Sequence, residues 1–173
     1  VVEYLLSLPV SRREMVVGRS IGGGLRSFVY VGPMIGVVLL LVGVADPLNL
    51  LTAFVSLFLF AFGVSGLSIT LASAIKSHDK FDILLGALDA FLVRLSTAFY
   101  PRAFMPRAYS VVANVNPLTF ASDILRWGAG AESVHKYLTN PLTAVVGLFL
   151  FFSTFTFISI TLYEKRLEGG GWE

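Results

Sequence analysis

The chain has 173 residues, of which 55% are hydrophobic and only 14% are charged, and its mean hydropathy is +0.79. Soluble domains carry about a quarter charged residues, so the composition indicates a membrane protein. The net charge is +2, and there is no cysteine, which excludes a disulfide framework and a thiolate metal site. The basic residues flank apolar runs, as in membrane-protein loops, and this distribution argues against a nucleic-acid partner.

Long apolar runs follow one another along the chain. A transmembrane helix requires about 20 mostly apolar residues, so we predict an all-α, polytopic membrane protein. The third run is the weakest, because Asp89 and Arg94 interrupt it. The four predicted transmembrane helices lie at about residues 27–45, 48–75, 82–100 and 139–163.

The positions of the basic residues predict the orientation, because cytoplasmic loops carry an excess of Lys and Arg. We expect a multi-pass protein of the plasma membrane with residues 1–26 and the tail 164–173 in the cytoplasm. The segment after the third run carries four basic residues on the outer side, against this rule. That segment is too apolar to count as a simple loop, so we keep the orientation.

Prolines divide residues 101–135, which separate the third and fourth runs. Pro106 and Pro117 suit the first position of short helices, where the missing N–H of proline has no intrahelical partner anyway. Asn116 is a good N-cap immediately before Pro117. We predict two half-helices, about 106–115 and 117–127, that form a re-entrant hairpin on the outer side. The predicted turn between them, Val111 to Asn116, must lie within protein, because its backbone groups need partners.

Several short motifs occur in a fixed order in this region and near the N-terminus. They are Ser7 to Glu14, Phe99-Tyr100-Pro101, Met105-Pro106, Asn116-Pro117-Leu118-Thr119-Phe120 and Leu125-Arg126. Together they resemble the signature of ABC-2 type transporter permeases. Two departures are Thr97, where that family usually has glycine, and Leu8, which is inserted between the serine and proline of the N-terminal motif. The resemblance covers nearly the whole chain, and the ordered set is what makes it specific.

The resemblance implies that the four predicted spans are the third to sixth of the family, so we expect this chain to be the C-terminal part of a permease. It further implies the permease subunit of an ATP-driven exporter that works as a dimer, with either a second copy or a homologue. ATP and Mg would bind to a separate ABC ATPase subunit, and this chain would bind no cofactor and catalyse no reaction. The substrate would be an amphiphilic drug, a lipid or a lipid-linked glycan.

Residues 11–14 form a predicted capping box, in which Ser11 and Glu14 each pair with the other's backbone N–H. By itself this pattern is typical of any interfacial helix start. The resemblance implies instead that the N-terminal segment docks on the ATPase and couples it to the spans. The residues assigned to this coupling are Tyr4, Leu8, Ser11, Arg12, Arg13 and Glu14.

A second group of residues is predicted to line a path or form a gate. Asp89 and Arg94 are costly at membrane depth and lie about 140° apart on a helix, so they should not pair. The alternative is that Asp82 and Arg94 lie near the two interfaces and only Asp89 is buried. Arg126 can pair with Asp123, three residues away. The candidate residues are Asp89, Arg94, Tyr100, Pro101, Pro106, Asn116, Pro117 and Arg126.

Two other classes of protein are weighed against the permease. A secondary transporter would show interrupted helices in two halves, and only one such region occurs. A membrane enzyme would show clustered His, Asp or Ser at the end of a span, and the sequence has no such cluster. A metal site is not expected, because His78 and His135 are isolated.

Two glycine pairs with GxxxG spacing, 18/22 and 32/36, permit close helix approach within the subunit or between subunits.

Overall fold

The computed structural model describes residues 11–42, 47–75, 77–130 and 138–168. Within these ranges the chain is helical and contains no strand, which confirms the all-α prediction. Tyr4, Leu8 and His135 lie outside the described residues. The elements are α1 (Arg12–Val42), α2 (Pro47–Ala74), α3 (His78–Arg94), a 3₁₀ helix (Arg102–Phe104), α4 (Arg107–Ala113), α5 (Pro117–Gly128) and α6 (Pro141–Glu168).

Two helices of the described part are long and apolar enough to cross a membrane, at Leu50–Ala74 and Pro141–Lys165. They coincide with the second and fourth predicted spans. The first predicted span is the C-terminal part of α1, as far as Val42, and residues 43–45 lie outside the described residues. The four-span scheme therefore stays a prediction for the first and third spans.

The third predicted span, 82–100, differs from α3, which begins at His78 and ends at Arg94. The helix stops there because side chains satisfy its last carbonyls, which have no intrahelical partner. Ser96 Oγ donates to the Val93 carbonyl at 2.8 Å, and Asn116 Nδ2 donates to the Leu92 carbonyl at 2.9 Å. With 17 residues, α3 is about 25 Å long, slightly less than the ~30 Å hydrocarbon core of a bilayer.

The central helix is α2, which packs most extensively against α6 and also against α5 and α1. Glycines allow the close approach of α2 to α6. A Cβ atom on Gly63 would lie 2.6 Å from the ring of Phe151, and one on Gly66 would lie 3.5 Å from the backbone of Phe155. The buried core, formed where α2, α5 and α6 meet, consists of Ala53, Ala121, Ile124, Ala144 and Leu148. This core fixes the position of α5.

The glycines of α1 divide into two sets. Gly23 and Gly24 face α2, where a Cβ atom on either would contact Ser65 or Phe62. The predicted GxxxG pairs, 18/22 and 32/36, face the other way, and a Cβ atom there would meet nothing within 4 Å. Among the described residues these pairs therefore make no close helix contact within the subunit.

The predicted hairpin corresponds to α4 and α5, which are joined by a turn at residues 114–116. That this pair re-enters the membrane stays a prediction. The prediction that this turn lies within protein is only partly right: Ala113 and Asn116 are buried, whereas Val111 and Val115 are exposed. Exposure is tolerated because the N–H groups of residues 114, 115 and 116 donate to carbonyls three or four residues earlier. The backbone donors of the turn are thus satisfied locally, without burial.

Candidate functional site

The start of α5 is fixed by Asn116. Its Oδ1 accepts from the Leu118 N–H at 2.9 Å, and Pro117 is the first helical residue, which confirms both sequence predictions. Its Nδ2 donates to the Leu92 carbonyl at 2.9 Å. One side chain thus caps α5 and ties it to the end of α3.

Pro106 was predicted to be the first residue of a half-helix, and this is wrong by one position. The structure places Pro106 at the N-cap of α4, which begins at Arg107. The reason is the backbone angle ψ of 149° at Pro106, which lies outside the helical region.

A buried carboxylate, Asp123, lies on the inner side of α5 with its side chain only 1% exposed. Its oxygens accept hydrogen bonds from Thr97 Oγ1 at 2.9 Å, from Thr139 N at 3.0 Å and from Thr139 Oγ1 at 2.7 Å. A buried charge is tolerated only when it is paired and hydrogen-bonded. Two guanidinium groups supply the pairing.

Arg102 and Arg126 both point at Asp123. Arg102 Nη2 lies 3.3 Å from Oδ2, and Arg126 Nη1 lies 3.7 Å from Oδ1, so the predicted pairing of Asp123 with Arg126 is confirmed. Arg126 Nη2 also donates to the Ala98 carbonyl at 3.0 Å. We call Thr97, Arg102, Asp123, Arg126 and Thr139 the Asp123 cluster. With two guanidinium groups and one carboxylate, its formal charge is +1.

The Asp123 cluster joins parts of the chain that are far apart in sequence. Thr97 follows α3, Arg102 begins the 3₁₀ helix, and Thr139 lies two residues before α6. Thr97 is also held from α5, because its N–H donates to Thr119 Oγ1 at 3.2 Å and its hydroxyl lies 3.0 Å from Ser122 Oγ. The cluster therefore holds α5 against the turn after α3 and against the segment that leads into α6.

The other predicted path or gate residues are not brought to the Asp123 cluster. Asp89 and Arg94 are exposed on α3, a helix without buried residues, and no ion pair joins them in the described structure. Tyr100 is 63% exposed, and Pro101 is exposed beside it. Arg102, Thr97 and Thr139 were missed because each reaches Asp123 across the fold. The sequence feature that points to the cluster is Asp123 itself, an acidic residue in a segment that is otherwise rich in arginine.

The opposite end of the bundle carries the predicted coupling residues. The capping box is confirmed: Ser11 N–H donates to Glu14 Oε2 at 2.8 Å, and Glu14 N–H donates to Ser11 Oγ at 3.3 Å. Two hydrogen bonds with Ser11 lower the pKa of Glu14. The bond from the Ser11 backbone has the larger effect, and the bond with the Ser11 side chain has the smaller one. Arg12 is the first residue of α1, and its side chain lies outside the described part of the structure.

The start of α1 is joined to the end of α6 by an ion pair. Arg13 Nε lies 2.7 Å from Glu164 Oε1, and the hydrogen bond to Glu164 raises the pKa of Arg13. Next to this ion pair, the Tyr163 hydroxyl lies 3.9 Å from Met15 Sδ. Glu164 was not among the predicted coupling residues, because no local spacing relates it to Arg13.

Comparison with known proteins gives two matches. A family model described as ABC-2 type transporter matches residues 1–129, a range that includes α1 to α5 and the Asp123 cluster except Thr139. The curated protein "Putative transport permease ycf38" of Cyanophora paradoxa is 32% identical over 79 residues, which are 46% of this chain. The aligned part covers 27% of that relative's length. No solved structure matches the chain significantly.

Replacing Asp123 with asparagine should destabilise the protein strongly. The variant keeps the shape of the side chain but leaves two guanidinium groups without a counter-charge, and breaking a buried ion pair costs about 3–5 kcal/mol. Thermal unfolding in detergent measures the effect. Asp82→Asn, on the exposed surface of α3, is the matched control and should leave the unfolding midpoint nearly unchanged. Equal midpoints for the two variants would show that the Asp123 cluster does not hold this region together.

Proposed function

The chain belongs to the ABC-2 type transporter family, and from this premise we propose that it forms part of the permease subunit of an ATP-driven exporter. Its partners are an ABC ATPase subunit, which binds ATP and Mg, and a second permease copy or homologue. The substrate is an amphiphilic drug, a lipid or a lipid-linked glycan. The proposal places the permease in the plasma membrane, with residues 1–26 and 164–173 in the cytoplasm.

The observation that carries the coupling role is the ion pair between Arg13 and Glu164. It joins the capped start of α1 to the end of α6, at the end of the bundle assigned to the cytoplasm. Helix α1 has 31 residues, with Pro33 inside it, and is about 46 Å long. A displacement of its start is therefore carried along the helix to Pro33, where the loss of a backbone hydrogen bond lets the helix bend. An exposed ion pair contributes little to stability, and its proposed role is to make α1 and α6 move together.

The proposed gate is the pair of short helices α4 and α5, held by the Asp123 cluster. Opening requires the hydrogen bonds and ion pairs to Asp123 to break together, because a half-paired buried carboxylate is costly. Such an arrangement favours two discrete positions of α5 over a continuous range. The gate would open when ATP-driven closure of the partner subunits tilts α1 and α6.

The coupling role predicts that Arg13→Ala and Glu164→Ala each reduce substrate-stimulated ATPase activity of the assembled complex several-fold. Because both substitutions break the same ion pair, the double variant should lose no more than either single variant. Glu14→Ala should reduce coupling as well, since it removes the capping box. Lys165→Ala, at an exposed neighbouring position, is the control. Normal coupling in the Arg13 and Glu164 variants would assign this end of the bundle a passive role.

The topology is tested with single cysteines, and the chain has no native cysteine. An impermeant thiol reagent should label Asp46→Cys and Ser110→Cys from outside the cell. It should label Ser77→Cys only after the membrane is permeabilised. The expected pattern follows from four spans with α4 and α5 on the outer side. Labelling of residue 110 only from the inside is incompatible with this arrangement.

The alternative function is that of a secondary transporter, whose broken helices serve a site at mid-membrane. It predicts transport that continues when the partner ATPase carries a substitution that abolishes hydrolysis. The exporter predicts that transport stops.

A further inference from the structure

Two apolar cavities lie side by side between α1 and α2. The outer cavity has a volume of about 360 Å³ and reaches the end of α5, and the inner cavity has about 350 Å³. Both are lined by Val31, Ile35 and Leu57, so they form one continuous depression, which we call the α1/α2 groove. Each volume is in the range of small-molecule sites.

The dimensions of the α1/α2 groove fit an extended acyl chain. Its lining on α2 runs from Leu50 to Val64, and the rise along the helix between these two residues is about 21 Å. That length is about two thirds of the ~30 Å hydrocarbon core. Apart from Ser27 at the inner end, the side chains that line the groove along α1 and α2 are apolar. A long and narrow apolar ligand is therefore favoured over a compact polar one.

The outer end of the groove carries one charge. Arg126 lines the outer cavity together with Gly128 and Ala129, and its side chain is 30% exposed. It shares the Asp123 carboxylate with Arg102, which lies closer, at 3.3 Å against 3.7 Å. The single carboxylate leaves the Asp123 cluster with a positive charge, and no acidic residue is found among the described residues that line the groove. The electrostatic complement is an anion.

We propose that the α1/α2 groove binds an acyl chain of an anionic membrane phospholipid, with the lipid head group at Arg126. The inference rests on the proposed membrane position of α1 and α2, and it adds a ligand site to the permease without requiring that the bound lipid be the transported substrate. The head group would use the part of the Arg126 guanidinium that Asp123 and the Ala98 carbonyl leave free. The acyl chain of the lipid would displace no polar contact on entering the groove.

The test uses the full-length permease, delipidated in detergent, with phosphatidylglycerol and phosphatidylcholine of identical acyl chains. Native mass spectrometry counts the bound lipids and yields their dissociation constants. Phosphatidylglycerol should bind about tenfold more tightly, a difference that corresponds to about 1.4 kcal/mol. Both head groups carry a phosphate, but the choline cation of phosphatidylcholine is repelled by the positive charge of the Asp123 cluster. Equal affinities for the two lipids would overturn the assignment of an anionic head group.

Matched variants separate the contribution of the acyl chain to lipid binding from that of the head group. Val31→Trp fills the wall that the two cavities share and should weaken phosphatidylglycerol binding about tenfold, a loss that corresponds to about 1.4 kcal/mol. Val29→Trp is the control, since Val29 is 72% exposed and does not line either cavity. Arg126→Gln should remove the preference for the anionic lipid, Arg126→Lys should retain it, and Arg107→Gln should leave it unchanged.

The outcomes also distinguish this site from the transport function. If Val31→Trp leaves lipid binding unchanged, the proposed site is overturned. It is also overturned if the wild-type permease binds no lipid and Val31→Trp instead blocks its assembly with another subunit. Neither result affects the coupling role of Arg13 and Glu164, which is measured through ATP hydrolysis. A permease that fails to couple but still prefers phosphatidylglycerol would reject the exporter and keep the lipid site.

Discussion

The need to pair one buried charge organises one end of this protein. Asp123 has almost no access to solvent, so its carboxylate must receive all its compensation from protein groups. Those groups come from the turn after α3, the 3₁₀ helix, α5 itself and the residue two positions before α6. A short helix of 12 residues would be marginal alone, and here it is held on several sides. The contacts of this carboxylate thus act together with the apolar core to hold α5 in the proposed gate.

The rest of the bundle connects this end to the opposite one. α2 lies in the centre, and the glycines at its contact with α6 bring the two backbones close. Packed helices shift as units, because tightly packed interfaces do not deform continuously. The ion pair of Arg13 with Glu164 joins α1 to α6 at the far end. The structure therefore provides a physical connection between the proposed coupling segment and the Asp123 cluster, through α6 and the Thr139 contact that precedes it.

The features that the sequence predicts are those set by local spacing. The capping box at Ser11 and Glu14, the cap at Asn116 and the pair of Asp123 with Arg126 all join residues within four positions, where helix geometry determines which groups meet. Arg102, Thr97 and Thr139 lie 21, 26 and 16 residues from Asp123, so only the folded chain reveals their role. The end of α3 was misplaced for the same reason. Its last carbonyls are capped partly by Asn116, from another helix.

The central claim is that the Asp123 cluster is closed at rest and opens during the transport cycle. The hydroxyls of Thr97 and Ser122 lie 3.0 Å apart, close enough for the double variant Thr97→Cys, Ser122→Cys to form a disulfide while Asp123 remains in place. The decisive measurement is the disulfide yield under mild oxidation in the assembled complex, with and without ATP. We expect rapid cross-linking at rest and a clear fall in yield during ATP hydrolysis. Failure to cross-link at rest, or a yield that ATP does not change, would contradict the account.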